Sequence, residues 1–567
     1  MATDFDRGSM QGGFPETLLR FILIAAFAAL LFGGYALLRF RGLDNARAME
    51  QVQIARNLAR GEGFTTQCLR PADLALLARD PDARKPSVKP SPDIRNAPVY
   101  PWLLSTAFRL ARPRFTVQAG DRIFDAEKTV VLPFGIVCCA LTGLLILLLG
   151  NRLFEMPIGF VAMVVWFVTP GVLDAAVSGT ALPLHMLLAT AAVYAAVLGV
   201  QAANGERGSA WWLPAILAAA LLCGAAVLCG WPAVAYGVIL GSYIWLAMGR
   251  LRLAATLLFG VLAAGVLVPW LMRQQAVSGH WFGAGWPSLL NGTALFPGLL
   301  YDRGLDTHLA GMYMGRVLQQ KLVTNLGASF AGNLQAAGGG IVLTACFLLS
   351  YLGSYERDET NLLRWGLLGG LLYLVCAGAL LDPGPPPAIA LLWPLAILYG
   401  VAFFHITMDA HGLVNTGWQP LLTWVLVLLT AVPAITAAAF DGPQSPYPPY
   451  YAPLVRKLDD VLEPDDAVCA DIPAAVAWYA DRPCVLLPAS VETFKELHEQ
   501  YGPLHGLYLT TQTADRPYAR DLLDGPFASW LAIVNRYIPP DFPFTQGIEL
   551  VPGRRDQLLL TDRLPAP

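Results

Sequence analysis

Between Asp44 and Gly61 the chain sets two carboxylates, Asp44 and Glu50, among three arginines, Arg47, Arg56 and Arg60. Carboxylates can take up a proton, and guanidinium forks match the oxygens of a phosphate. Ala48, Val52, Ala55 and Leu58 recur at steps of four, three and three, which predicts a helix lying in a membrane interface with Asp44, Arg47 and Glu50 on its polar face. Gly61 predicts its end. From periodicity alone, these carboxylates and arginines simply pair with one another on a solvated face. A second group of polar residues, Arg303, Asp306, His308, Arg316 and Lys321, falls in another long polar stretch.

The elements that must carry these residues follow from composition. Of 567 residues, 55% are hydrophobic and 14% charged, against about 25% charge in an ordinary globular chain. So few charges cannot cover a soluble core of this size, and the chain reads as a multi-pass membrane protein. Apolar runs of near-spanning length begin at Leu18–Leu38 and recur at Thr129–Gly150, Pro157–Leu173, Thr180–Val200, Trp211–Cys229, Pro232–Met248, Leu253–Met272, Gly339–Leu352, Leu362–Leu381, Pro387–Phe404 and Leu421–Ala439. That is eleven helices, with Gly230-Trp231-Pro232 marking a break between two of them. The first run is too long for a signal-peptide core and is retained.

Short loops set the orientation. Arg152, Arg207, Arg250, Arg252, Arg357 and Arg364 gather on one side, and the short loops opposite carry no Lys or Arg. By the positive-inside rule the N-terminus is cytoplasmic. A first outer loop over 41–128, a second over 273–338 and the C-terminal segment then lie on the periplasmic or extracellular face of the inner membrane. Residues 1–440 form the transmembrane part and 441–453 a Pro-rich linker. Residues 454–567 form a small soluble α/β domain, with strands at Asp466–Ile472 and Cys484–Pro488 around a helix at Pro473–Tyr479. Cys469 and Cys484 fall on its neighbouring strands, either bridged or as two unpaired thiols.

Much chemistry is excluded. A net charge of −3 gives no electrostatic footprint for nucleic acid. No Walker loop, GxSxG, HExxH or CxxC is present, and nine cysteines and seven histidines are scattered without metal spacing. The spans lack the ionisable residues expected of a secondary transporter. His185 and His405 read as hydrogen-bonded packing residues, and Gly338-Gly339-Gly340 as close helix packing.

Several stretches together carry a resemblance. They are a single span followed by an acidic residue, Ile54-Ala55-Arg56-Asn57-Leu58 with Gly61-Glu62-Gly63-Phe64, and Asn96-Ala97-Pro98-Val99-Tyr100-Pro101. With Asn151-Arg152-Leu153-Phe154, Pro269-Trp270, Pro383 to Pro387 and the C-terminal extramembrane segment, the chain resembles the GT-C fold glycosyltransferases. These include the protein O-mannosyltransferases and the aminoarabinose transferases of lipid A. The resemblance implies an inverting transfer of one sugar from a polyprenyl-phosphate donor to a lipid, glycan or protein acceptor at the outer membrane face. It implies a catalytic carboxylate early in the first outer loop, where Asp44 and Glu50 compete. It further implies cations for the donor phosphate, among which Arg56, Arg60, Arg303, Arg316 and Lys321 are the candidates, with His308 beside them.

The sequence departs from the family where members carry Thr-Asp at the outer end of the fourth span. Here that place reads Thr180-Ala181, and the nearest acid is Asp174. A divalent cation is compatible with the resemblance, but no metal-ligand motif accompanies it. The rival class is a lipid or glycan transporter, or a non-catalytic membrane scaffold whose soluble domain binds a partner.

Overall fold

The computed structural model describes residues 14–78, 88–118, 120–121, 123–205, 210–306, 310–336, 340–381, 388–414, 416–440, 450–514, 516–550 and 557–563. The first helix, α1 (Phe14–Arg39), leads into a long loop that holds α2 (Ala46–Arg60), β1 (Thr65–Thr66), β2 (Cys68–Leu69), α3 (Pro71–Leu77), β3 (Ser91–Pro92) and α4 (Val99–Ala111). A helical bundle follows: α5 (Leu132–Leu153), α6 (Met156–Val168), α7 (Pro170–Val177), α8 (Leu182–Asn204), α9 (Trp212–Val227), α10 (Val234–Ala247) and α11 (Arg252–Ser278). It closes with α12 (Ala310–Ala336), α13 (Ile341–Leu349), α14 (Asp358–Leu380), α15 (Trp393–Ala410) and α16 (Trp418–Phe440).

Among the described residues seven helices are long and apolar enough to cross a membrane. The pair α6 and α7, bent by 59° where Pro170 cannot donate its missing N–H, makes an eighth. The remaining three expected runs are shorter apolar helices, Trp212–Val227, Trp231–Ala247 and Ile341–Leu352. The expected count of eleven full spans is therefore not reached by length. Between Trp212–Val227 and Trp231–Ala247 the chain breaks at Gly230 and Pro232. Before Ile341–Leu352, the stretch read as a polar second loop holds α12, a 27-residue helix that is not among the apolar spans. Asn325 and Ser329 on α12 donate to the carbonyls of Ala379 and Val375, so its later turns lie along the end of α14.

The C-terminal part has α17 (Ala452–Val455), β4 (Val468–Ala470), α18 (Pro473–Tyr479), β5 (Cys484–Leu486), α19 (Val491–Tyr501), β6 (Gly506–Leu509), α20 (Thr511–Ala514), β7 (Gln546–Ile548) and β8 (Leu558–Thr561). Its six-stranded sheet runs β2-β5-β4-β6-β8-β7, with β2, β5, β4 and β6 parallel and β8 and β7 antiparallel. The edge strand β2 is donated by the first loop, which periodicity over 454–567 could not reveal. Of the Pro-rich linker expected over 441–453, residues 441–449 lie outside the described residues, as do the Pro383–Pro387 entry, Gly338 and Gly339. Cys469 stands across from Val485 and Cys484 across from Cys68, so Cys469 and Cys484 face opposite sides of the sheet and both are free thiols.

Helix α2 is not an interface helix. Every residue from Ala48 to Asn57 is buried, because α4 packs on one side and α18 on the other. The apolar side chains that the loop leaves exposed are Trp102, Leu103 and Leu110 of α4. Asn45 caps α2 by accepting from the N–H groups of Arg47 and Ala48, and Gly61 ends it at φ +84°, a left-handed conformation favouring glycine.

Candidate functional site

Asp44 lies in the turn between α1 and α2, immediately before the Asn45 cap. The turn is held from three sides. The Leu43 N–H donates to Glu127 Oε2 at 3.2 Å, and the Tyr479 hydroxyl reaches the Leu43 carbonyl at 3.5 Å. Gly179, at φ +68°, sits against Leu43 so closely that a Cβ there would be 2.3 Å from Leu43 Cδ2. Asp44 is open to solvent on one side but hemmed by protein on the others. That desolvation, and then the charge of Asp174, lift its carboxyl above the usual aspartate range. Asp174 is on α7, exposed, and accepts a short hydrogen bond from the Tyr35 hydroxyl of α1. The charge of Asp44 is in turn felt by Tyr450 and Tyr479 of the C-terminal part. Asp174 is thus close enough to Asp44 for its charge to be felt there, while Tyr35 ties it to α1.

Glu50, the competing carboxylate, is placed elsewhere. It is 4% exposed and held by both guanidinium nitrogens of Arg70, at 3.0 and 2.8 Å, and by Asn96 Nδ2 at 2.9 Å. Burial alone would raise its carboxyl, but Arg70, Arg95 and Asn96 together hold it below the usual glutamate range. The network continues through Asp73 and Arg95 to Asp302, joining the two loops. A carboxylate this buried, and held by three hydrogen bonds, is closed to a substrate.

The cations are mostly committed to packing. Arg56 is 0% exposed and donates to the carbonyls of Ala477 and Trp478 and to Gln67, with Asp481 at 2.7 Å. Arg60 pairs with the same Asp481 at 2.7 Å. Both lie toward the far end of α2, Arg56 being about 18 Å from Asp44 along a helix rising 1.5 Å per residue. Arg303 is buried against Phe527 and donates to Leu487 O, and Lys321 donates to the carbonyls of Leu289 and Asn291. Arg316 is exposed on α12, with no ion-pair partner among the described residues. His308 lies outside the described residues.

No protein-family model matches the chain, and no curated protein sequence does. Solved structures do. The Archaeoglobus fulgidus oligosaccharyltransferase in complex with Zn and sulfate superimposes with a TM-score of 0.57 at 12% identity, covering 89% of this chain and 70% of that one. The same organism's archaeal oligosaccharyltransferase AglB, in complex with an inhibitory peptide and a dolichol-phosphate, gives 0.54 at 11% identity over 87% and 69%. ArnT from Cupriavidus metallidurans bound to undecaprenyl phosphate gives 0.55 at 12% identity, over 95% of this chain and 97% of that one. The chain has the GT-C fold.

Within this GT-C fold, the residues that place Asp44 are mostly ones sequence reasoning missed. Glu127 reads as one more charge at the head of a span, and Tyr35 as an aromatic inside one. Trp478 and Tyr479 read as the apolar face of a short helix. No local pattern marks them, since their partners are 84 to 436 residues away. A divalent cation would find two carboxylates here, Asp44 and Asp174. Among the described residues no group of three or more His, Cys, Asp or Glu could hold a metal. The described residues around Asp44 do not make a metal site.

Proposed function

We propose that this protein is an inverting membrane glycosyltransferase, moving a sugar from a polyprenyl-phosphate donor to an acceptor hydroxyl with Asp44 as the base. The observation that carries this reading is Asp44 itself, an exposed carboxylate in the turn after the first span of a GT-C fold, with no ion-pair partner among the described residues. Support for the donor class comes from similar structures holding undecaprenyl phosphate or a dolichol-phosphate. A base must be a carboxylate not already tied up in an ion pair, and near the solvent from which the acceptor arrives. Asp44 meets both conditions, and Glu50 meets neither.

In the proposed step the acceptor oxygen forms a bond to the anomeric carbon while its proton passes to the Asp44 carboxylate. The carbon–oxygen bond to phosphate breaks on the opposite face, and polyprenyl phosphate leaves with the electron pair. Desolvation, and after it the charge of Asp174, keep the Asp44 carboxyl more basic than an isolated aspartate, which favours proton uptake. Of the five candidate cations, Arg316 is proposed for the departing phosphate, because the other four are engaged in packing contacts. The acceptor, whether lipid, glycan or protein, and the sugar would meet on the outer face of the inner membrane, where the positive-inside bias puts the loops and C-terminal part.

The test is release of undecaprenyl phosphate from undecaprenyl-phosphate-linked sugars by the full-length protein in membranes, followed by mass spectrometry. D44N is expected to lower the rate about 10²- to 10⁴-fold, the usual range for loss of a general base. Full release by D44N at unchanged expression would sink the assignment. Vectorial movement of the intact donor with no released lipid phosphate would favour a transporter.

A further inference from the structure

Glu127 is 1% exposed and stands at the head of the span that leads into α5. Both of its oxygens are used, and by groups far apart in the chain. Oε2 accepts the Leu43 N–H at 3.2 Å, and Oε1 accepts the Trp478 indole N–H at 2.7 Å. The donors are neutral, with no arginine or lysine among the groups bonded to it. A buried carboxylate without a cation is an expensive way to fill space, since it must be desolvated without an ion pair in return. What it gains is a fixed three-way junction between the α1–α2 turn, the head of α5 and the end of α18.

The residue that this junction fixes is Asp44. Leu43 is pinned at its N–H by Glu127 and approached at its carbonyl by Tyr479, while Gly179 closes off its side chain. On the other side, Asn45 is locked into the N-cap of α2. With both neighbours held, the backbone of Asp44 is fixed, and with it the point and direction from which its carboxylate extends. Trp478 sits at the end of α18, stacked by Arg56 at 5.3 Å and with its carbonyl bonded to that guanidinium, so the indole is itself immobile.

We propose that Glu127 is a positioning residue for Asp44, acting as a clamp that puts the carboxylate in place only when α18 of the C-terminal part is docked. This rests on Asp44 being the base. The C-terminal part is then a structural member of the site, not a cap set on top of it. Besides Asp44 itself, the charged and titratable groups around the clamp among the described residues are Arg56 against Trp478, Asp174 on α7, and Tyr450 and Tyr479 from the C-terminal part.

The experiment uses the purified full-length protein in detergent. The titration of Asp44 is followed by its infrared carboxyl band, identified by its absence in D44N, in wild type, E127Q and W478F. E127Q leaves one acceptor oxygen where two are needed, and W478F removes only the indole N–H. If Glu127 positions Asp44, each folded variant loosens the turn and admits water, and the band's midpoint falls by at least about 0.5 in pH toward the ordinary aspartate value. Release of undecaprenyl phosphate falls with it. An unchanged midpoint in the folded variants overturns the clamp, even where their melting temperature drops, because a merely structural bond would lower stability alone. Should E127Q fail to fold, W478F decides. If D44N releases undecaprenyl phosphate as fast as wild type, it is the assignment of the base that falls. If D44N is inactive while both clamp variants keep midpoint and rate, it is the clamp.

Discussion

At the scale of single residues, two carboxylates six positions apart have opposite fates. Asp44 lies in a turn, with only another acid for company, and its carboxyl is raised. Glu50 lies inside α2 against Arg70, and its carboxyl is lowered despite complete burial. The lowered group makes a testable contribution to stability. Because the folded form binds its proton less readily than the unfolded one, the contribution is fully present above the ordinary glutamate value of 4.5 and is lost as pH falls through the lower folded value. E50Q removes the nearest carboxylate of Arg70, leaving Asp73 and Asp302 at 3.7 and 3.8 Å, and should cost about 1–3 kcal/mol near neutral pH. The variant should also show a flatter fall in melting temperature below pH 4.5 than wild type. An equally steep acid slope in E50Q would show that the network does not titrate through Glu50.

At the scale of elements, α2 links the two halves of the molecule. Its N-terminus carries the turn with Asp44, its middle is walled in by α4 and α18, and its last turns bind the loop after α18 through Asp481. Arg56 is the bolt of this joint. Arg56→Ala would leave the carbonyls of Ala477 and Trp478 and the Gln67 side chain facing a void, while Asp481 keeps Arg60, a loss of about 3–5 kcal/mol. Thermal unfolding in detergent should show the loss, and limited proteolysis should open the first loop before the bundle. Arg60→Ala, which removes a partly solvated partner of the same aspartate, should cost at most about 1 kcal/mol. Equal costs for the two would mean that burial is not what gives Arg56 its weight.

At the scale of the whole molecule, the C-terminal sheet is not separable from the loop beneath it. Strand β2 is its edge, Cys68 packs beside Cys484, and the ten buried residues of α2 need α18 as cover. A chain ended at Phe440 would expose that helix and leave β2 without its neighbour. Its first loop is expected to become protease-sensitive at α2 while the helical bundle still inserts, which digestion of membranes followed by mass spectrometry would detect. A loop as resistant as in the full chain would show that α2 is stable without its roof.

Sequence alone determined the membrane class, the near-absence of charge inside the spans, the places of the apolar helices, the α18 helix and its flanking strands, and the GT-C resemblance. Each is written in local periodicity, composition or a short run of residues, and so needs no knowledge of what lies opposite. The resemblance also offered Asp44 and Glu50 as rival candidates for the proposed base without separating them. Tertiary structure alone distinguished their surroundings. Whether a carboxylate is paired depends on Arg70 and Asn96 in one case and on Asp174 in the other, and these partners come from other elements. The same holds for the burial of α2, whose polar face looks solvated until α18, more than 400 residues away, is folded onto it. Periodicity reports which face of a helix differs from the rest, but only packing reports what that face meets.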